Sequence, residues 1–168
     1  GFGIDTIFGN EGEVDTLQIS GSSIDISDIQ FRFWDAGDFL LLGGTDGDDF
    51  IAATEVRDTM AGQAGTDEFA FNGETVGKNL WRDSIIDFVA GEDIINLSAI
   101  DANGAIAGDG VFSIVSAFTN TPGQLRITQD AFNNTTLLSG DINGDSKTDF
   151  QIEVNGLVTF TVDVDLIL

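Results

Sequence analysis

The sequence predicts an all-β chain: a short stack of parallel strands wound as a flattened coil, packed with an antiparallel, sandwich-like C-terminal part. Three observations predict it. Residues 44–70 repeat in nines, with Asp at the sixth position (Asp49, Asp58, Asp67) and an apolar residue at the eighth (Ile51, Met60, Phe69). The same Asp-x-apolar unit occurs twice more near the N-terminus. Beyond residue 110, short segments alternate apolar and polar residues at the strand period.

The blocks are GTDGDDFIA (44–52), ATEVRDTMA (53–61) and GQAGTDEFA (62–70). A six-residue loop and a three-residue strand make half of one coil turn, so two blocks complete it. The apolar eighth residue then points inward and stacks on its counterpart one turn away. Glycines at positions one and four (Gly44 and Gly47, Gly62 and Gly65) are expected to allow tight loops with positive φ that turn carbonyls toward a bound ion. The middle block has Ala53 and Val56 there instead. Asp49 and Asp67 should lie on one side of the coil and Asp58 on the other. One ion site is therefore expected between loops 44–49 and 62–67, built from Gly44, Asp46, Asp49, Gly62, Ala64 and Asp67, with a poorer site opposite. Decayed blocks over 1–23 carry Asp5 and Asp15 as further candidate ligands.

The remaining elements come in chain order. Residues 24–42 read as a hairpin insertion, with Phe31, Phe33, Phe39 and Leu41 alternating around Trp34–Asp38. This aromatic stripe reads as core, with a sugar platform as the alternative. Residues 43–71 are the repeats and 72–168 a C-terminal β region, all within one domain over 1–168. Residues 72–82 are polar and form a loop, with Trp81 expected to cap the coil. Asp83 and Asp87 stand about where the next coil's ligand would fall. A short helical turn is expected over 97–103, and strands over 111–118, 124–129, 134–139, 149–154 and 157–164, with Asn133-Asn134 as a hairpin turn. Residues 141–149, DINGDSKTD, place Asp141, Asn143, Asp145 and Asp149 at positions one, three, five and nine of an EF-hand-like loop. Ser146 and Ile152 depart from the residues expected at six and twelve. An acidic turn between strands is the competing reading.

Composition narrows the function. The chain has 168 residues, 29 Asp+Glu against 6 Lys+Arg, a formal charge of −23, and no His or Cys. No His- or Cys-dependent catalytic site or ordinary zinc or haem site is available. The scattered basic residues form no stripe for nucleic acid, and no apolar run approaches the length of a membrane span. A core-forming chain this acidic folds against its own repulsion unless a cation relieves it, and hard oxygen ligands suit Ca²⁺. The start, Gly1-Phe2-Gly3-Ile4-Asp5, reads as the middle of a longer protein.

The blocks resemble the glycine- and aspartate-rich nonapeptide repeats of RTX proteins, GGxGxDxUx. Phe69-Ala70-Phe71, Asp83–Phe88 and Gly91–Ser98 resemble the serralysin-type C-terminal domain. Asp165-Leu166-Ile167-Leu168 resembles the terminus of type I secretion substrates. The resemblance implies a calcium-binding parallel β-roll in a secreted, extracellular protein, folding when calcium is met outside the cell. The final residues would be read by the type I exporter. It implies no catalysis in these residues: an HExxH helix or other catalytic part would lie upstream. The alternative is a polysaccharide-binding module of an exported enzyme, as in alginate epimerases.

Overall fold

The computed structural model describes residues 6–8, 14–18, 30–32, 39–54, 56–73, 82–104 and 110–168, with side chains from Leu41 onward. Among them every regular element is a strand: β1 (Thr6–Phe8), β2 (Val14–Gln18), β3 (Gln30–Arg32), β4 (Phe39–Gly43), β5 (Phe50–Ala52), β6 (Arg57–Ala61), β7 (Glu68–Asn72), β8 (Asp83–Ile85), β9 (Ile94–Ala99), β10 (Ser113–Ile114), β11 (Gln124–Asp130), β12 (Thr135–Asp141), β13 (Phe150–Asn155) and β14 (Leu166–Ile167).

From β4 to β9 successive strands alternate between two sheets, which is the flattened coil that the nonapeptide spacing requires, and β1 and β3 form a separate two-stranded sheet. One sheet runs β14-β9-β7-β5, all parallel; the other runs β10-β11-β12-β13-β8-β6-β4-β2. Arg57 pairs with Phe39 and Glu68 with Phe50, each 18 residues apart, while Thr59 pairs with Ser84 across a longer, 25-residue turn. Apolar side chains stack in two inner columns. Ile51, Phe69, Ile95 and Leu166 are in register on one sheet; Leu42, Met60, Ile85 and Val154 are in register on the other. All eight are buried, so Ile51, Met60 and Phe69 point inward as their position in the repeat predicts.

The antiparallel part joins the roll edge to edge. β11, β12 and β13 form an antiparallel meander turned at 131–134, and β13 adds parallel to β8. The predicted hairpin turn at Asn133-Asn134 is present, with Asn134 at φ 54°.

Three local expectations are corrected. Residues 24–42 are not a hairpin: β3 pairs parallel with β1, whereas β4 pairs parallel with β2 and β6 in a different sheet. Alternation marks a strand but not the direction of its partner, and the six residues between β3 and β4 match the loop length of the repeat. Residues 94–99 are strand, and 100–103 are bend and turn rather than helix. Residues 157–161 join no ladder, and Asp163 has φ 63°; the closing strand is β14, parallel to β9. Phe160 serves the core instead through its ring, 5.4 Å from that of Phe88. The expected cap, Trp81, lies outside the described residues.

Candidate metal centre

Four loops end in an aspartate whose carboxylate folds back to accept from a backbone N–H four residues earlier. Thr54 N–H donates to Asp58 Oδ2 at 2.6 Å, Val89 N–H to Asp93 Oδ2 at 2.8 Å and Thr161 N–H to Asp165 Oδ2 at 2.6 Å; Thr45 N–H makes the same bond to Asp49 Oδ2. Coils are tied together by an aspartate oxygen that accepts from the backbone of an aspartate in the adjacent coil. Asp49 N–H donates to Asp67 Oδ1 at 2.9 Å, Asp67 N–H to Asp93 Oδ1 at 3.1 Å, and on the opposite side Asp58 N–H to Asp83 Oδ1 at 2.9 Å. The aspartates thus form two columns running along the coil.

This geometry puts Asp49 and Asp67 on one side and Asp58 on the other, as the spacing predicts. It also places the residues that were expected to continue the site. Asp83 continues the Asp58 column, and Asp93 is the next member of the Asp49–Asp67 column. Asp87 sits beside loop 62–67, accepting from Gly62 N–H at 3.0 Å and Gln63 N–H at 2.9 Å. Asp93 is a member of the column that sequence reasoning missed, although Asp93-Ile94-Ile95 carries the same Asp-x-apolar unit. Asp165, whose Oδ1 accepts from Gly91 N–H at 2.6 Å, is placed by the return of the chain from residue 161 and has no repeat spacing to reveal it.

The glycines act differently from the expectation. Of the four repeat glycines Gly44, Gly47, Gly62 and Gly65, only Gly65 has a positive φ, 118°; in the same loop Gln63, not a glycine, adopts 76°. Gly62 is required because a Cβ there would stand 2.0 Å from Asp67 Oδ2, and one on Gly44 would stand 2.6 Å from Asp49 Oδ2. The first glycine of the first and third blocks makes room for that block's own aspartate. A Cβ on Gly65 would meet Gly47 O at 2.8 Å, so loops 44–49 and 62–67 touch backbone to backbone. Asp48 Oδ1 ties them further by accepting Thr66 N–H at 2.8 Å. Asp46 and Ala64 are exposed at the loop tips. Asp5 lies outside the described residues, and Asp15 is on β2, where only the backbone is described.

Seven aspartates are buried among the described residues: Asp49, Asp58, Asp67, Asp83, Asp93, Asp141 and Asp165. Burial raises Asp58 to about 7 despite the hydrogen bonds from Thr54. Burial also raises Asp67 to about 6, opposed by the bond from Asp49 N–H and reinforced by the charges of Asp93, Asp49 and Asp87. Asp93 is raised by burial against the bonds from Val89 and Asp67, with Asp87 and Glu92 adding to the rise. Carboxylates held this way favour a proton or a hard cation over standing charged and alone. The donor set is all oxygen, which fits Ca²⁺. No three His, Cys, Asp or Glu side chains converge as a metal cluster among the described residues. An ion between coils would draw one carboxylate from each coil and complete its shell from loop carbonyls.

The 141–149 loop is organised around two carboxylates. Asp141, fully buried, accepts Gly144 N–H at 2.7 Å and Ser146 N–H at 2.9 Å. Asp149 accepts Ile142 N–H at 2.7 Å and Asn143 Nδ2 at 2.8 Å. Asn143 Oδ1 caps Asp145 N–H at 2.8 Å, and Lys147 Nζ sits 3.0 Å from Asp145 Oδ2, holding that carboxyl below its usual range. Ser146 takes φ 62° at the position where an EF-hand-like loop has glycine.

The AlgE6R2 subunit of the Azotobacter vinelandii mannuronan C5-epimerase is similar in fold, at TM-score 0.51 and 17% identity over 86% of this chain and 83% of that one. The AlgE6R3 subunit of the same enzyme aligns at TM-score 0.46 and 20% identity over 70% of this chain, which spans 60% of that one. No curated protein matches. Residues 6–168 match the family described as Peptidase M10 serralysin C terminal, and with its two-sheet coil and aspartate columns the chain belongs to that family of RTX-type C-terminal domains.

Proposed function

We propose that this chain is a calcium-binding module that folds when it meets calcium and accompanies an extracellular protein through a type I exporter. The observation that carries the calcium reading is the column Asp49–Asp67–Asp93, three buried carboxylates linked coil to coil by N–H···O bonds. Asp49 and Asp67, with the backbone of loops 44–49 and 62–67 (Gly44, Asp46, Gly62, Ala64), would hold one ion. Asp67, Asp87 and Asp93 would hold the next along the same side, and Asp83 the opposite column. Asp141, Asn143, Asp145 and Asp149 remain a separate candidate loop.

Charge supplies the switch. Where calcium is scarce, a chain of −23 is held apart by its own carboxylates and, lacking cysteines, carries no cross-links into the export channel. Outside, calcium binds the folded form only and stabilises it by mass action; extracellular sites work at about 10⁻⁴–10⁻³ M. No reaction is assigned to these residues; a catalytic part, if the parent protein has one as a secreted hydrolase, protease or epimerase would, lies outside them. Circular dichroism with and without calcium tests the leading reading: a coil-to-β change is expected, and full β signal in excess chelator overturns it.

A further inference from the structure

Exposed apolar side chains gather at one end of the roll. β8 and β13 run parallel, so the loops that follow them, 86–93 and 156–165, leave from the same end of the sheet. The turn between β11 and β12 returns to that end, with Thr135 paired to Asn155. Ile86, Val89, Phe132, Leu157, Val162 and Val164, all exposed, stand in these three segments, whereas Val111 and Ile114 flank or belong to β10. The segments are bonded to one another. Gly156 N–H donates to Asn134 O at 2.7 Å, Asn155 Nδ2 to Ile86 O at 3.3 Å and Gly91 N–H to Asp165 Oδ1 at 2.6 Å. The rings of Phe88 and Phe160, 5.4 Å apart, join the two loops.

Phe132 is the outlier among them, 95% exposed at the apex of a tight turn, where Gly, Asn or Asp is the usual residue. The turn is fixed around it. Asp130 Oδ1 accepts from Phe132 N–H at 2.9 Å and from Asn133 N–H at 3.1 Å, Asp130 Oδ2 accepts from Asn133 Nδ2 at 2.7 Å, and Asn134 takes φ 54°. An aromatic ring held out on a backbone that is already ordered loses little freedom on docking, which suits an anchor residue. Leu157 and Ile86, 48% and 46% exposed, extend the apolar surface beside it. Clustered exposure of this kind marks a site of contact with another molecule.

Charge selects the partner. None of the chain's 6 basic residues falls in 86–93, 130–134 or 155–165, whereas Glu92 and Asp163 are exposed there and Asp87 and Asp130 are partly so. A second copy, itself at −23, or an anionic bilayer would bring like charge onto this surface. A partner that is both apolar and basic satisfies the two features together. We propose that this end of the sheet docks a cationic amphipathic segment of another protein, its apolar side chains on Phe132, Leu157 and Ile86 and its basic ones on the flanking carboxylates. The surface goes beyond the calcium reading and requires only the folded chain.

The test is calorimetric titration of the calcium-saturated chain, at several salt concentrations, with an alternating Lys-Leu peptide, a Lys-Ser peptide of equal charge and a Glu-Leu peptide. The Lys-Leu peptide is expected to saturate, the Lys-Ser peptide to bind about tenfold more weakly or less, and the Glu-Leu peptide not to bind. Phe132→Ser and Leu157→Ser should each weaken the Lys-Leu peptide several-fold, and Val111→Ser, a change to an exposed side chain outside the surface, should leave it unchanged. Glu92→Gln combined with Asp163→Asn should weaken it and flatten its salt dependence. All these side chains are exposed, and each variant's melting temperature checks its folding. Equal binding of the Lys-Leu and Lys-Ser peptides, which is charge alone, overturns the surface, as does Lys-Leu binding unchanged in both Phe132→Ser and Leu157→Ser. Co-sedimentation with phosphatidylcholine or phosphatidylserine vesicles that Phe132→Ser abolishes would assign the surface to a membrane. A dimer in analytical ultracentrifugation that Phe132→Ser dissociates would assign it to a second copy. Either result overturns the proposal, and neither is expected.

Discussion

Asp49 N–H donates to Asp67 Oδ1 at 2.9 Å, so the sixth residue of one block is bonded through its backbone to the side chain of the sixth residue 18 positions later. One carboxylate therefore serves two purposes. It stitches adjacent coils, and it brings negative charge into a place where only a cation or proton can balance it.

The two purposes separate by substitution. Asp67→Asn keeps an oxygen for Asp49 N–H and removes the charge, so metal-free stability should hold or rise while calcium affinity falls. Asp67→Ala removes the acceptor as well and should cost about 1–3 kcal/mol even without calcium. Asp58→Ala should lower stability similarly through Thr54 but leave calcium stoichiometry on the Asp49–Asp67 side unchanged. Equilibrium unfolding and calcium titration of the three variants check this; equal loss of calcium in Asp67→Ala and Asp58→Ala would contradict the side assignment.

Gly62→Ala should be strongly destabilising, because its Cβ would stand 2.0 Å from Asp67 Oδ2 and 2.6 Å from Asp67 Cγ. Gly43→Ala is the control: nothing lies within 4 Å of that Cβ, and reduced freedom of the unfolded chain should make it neutral to about 1 kcal/mol stabilising. Thermal unfolding of both, with and without calcium, reads the difference.

Without metal, acid should stabilise the fold. Asp58 at about 7 and Asp67 at about 6 lie above the ordinary carboxylate value of 3.8, so the folded state holds more protons than the unfolded one between those limits. Their contribution is fully present below 3.8 and is lost as pH rises through about 6 to 7. In chelator, the melting temperature at about pH 5 should exceed that at about pH 8. In saturating calcium the trend should shrink or reverse, because protons and calcium compete for the same oxygens. A chelator-treated protein more stable at the higher pH would refute it.

In the 141–149 loop, Asp141 and Asp145 should behave differently. Asp141 is fully buried and holds two N–H groups, so Asp141→Ala should destabilise by about 1–3 kcal/mol in chelator. Asp145 is exposed and pairs with Lys147, so Asp145→Ala should leave metal-free stability nearly unchanged. Loss of one calcium in Asp145→Ala would establish the loop as an ion site; unchanged stoichiometry would leave it a structural turn.

At the terminus, Leu166 is fully buried and in register with Ile95, whereas Ile167 and Leu168 are only partly buried. Leu166→Ala should cost about 2–5 kcal/mol. Replacing Ile167 and Leu168 by Ser should cost far less, yet should stop secretion of a reporter fused upstream if the exporter reads these residues. Unchanged secretion by that double variant would remove the export role.

The spacing of nine fixed the coil, the inward direction of Ile51, Met60 and Phe69 and the sides taken by Asp49, Asp58 and Asp67, because strand alternation and loop length are local properties that repeat in the sequence. The antiparallel meander and its turn at Asn133-Asn134 were legible for the same reason. Strand direction at β3 and β4 was not, since alternation is the same whichever way the partner runs. Tertiary structure alone decided that Asp93 and Asp165 continue the aspartate column, through turns of irregular length that break the repeat. It also decided that Gly44 and Gly62 are set by contact with a carboxylate rather than by backbone conformation. And it placed Thr59 beside Ser84 and Ser84 beside Glu153, residues of three separate segments, because register, which is a property of paired chains, is what makes distant residues adjacent.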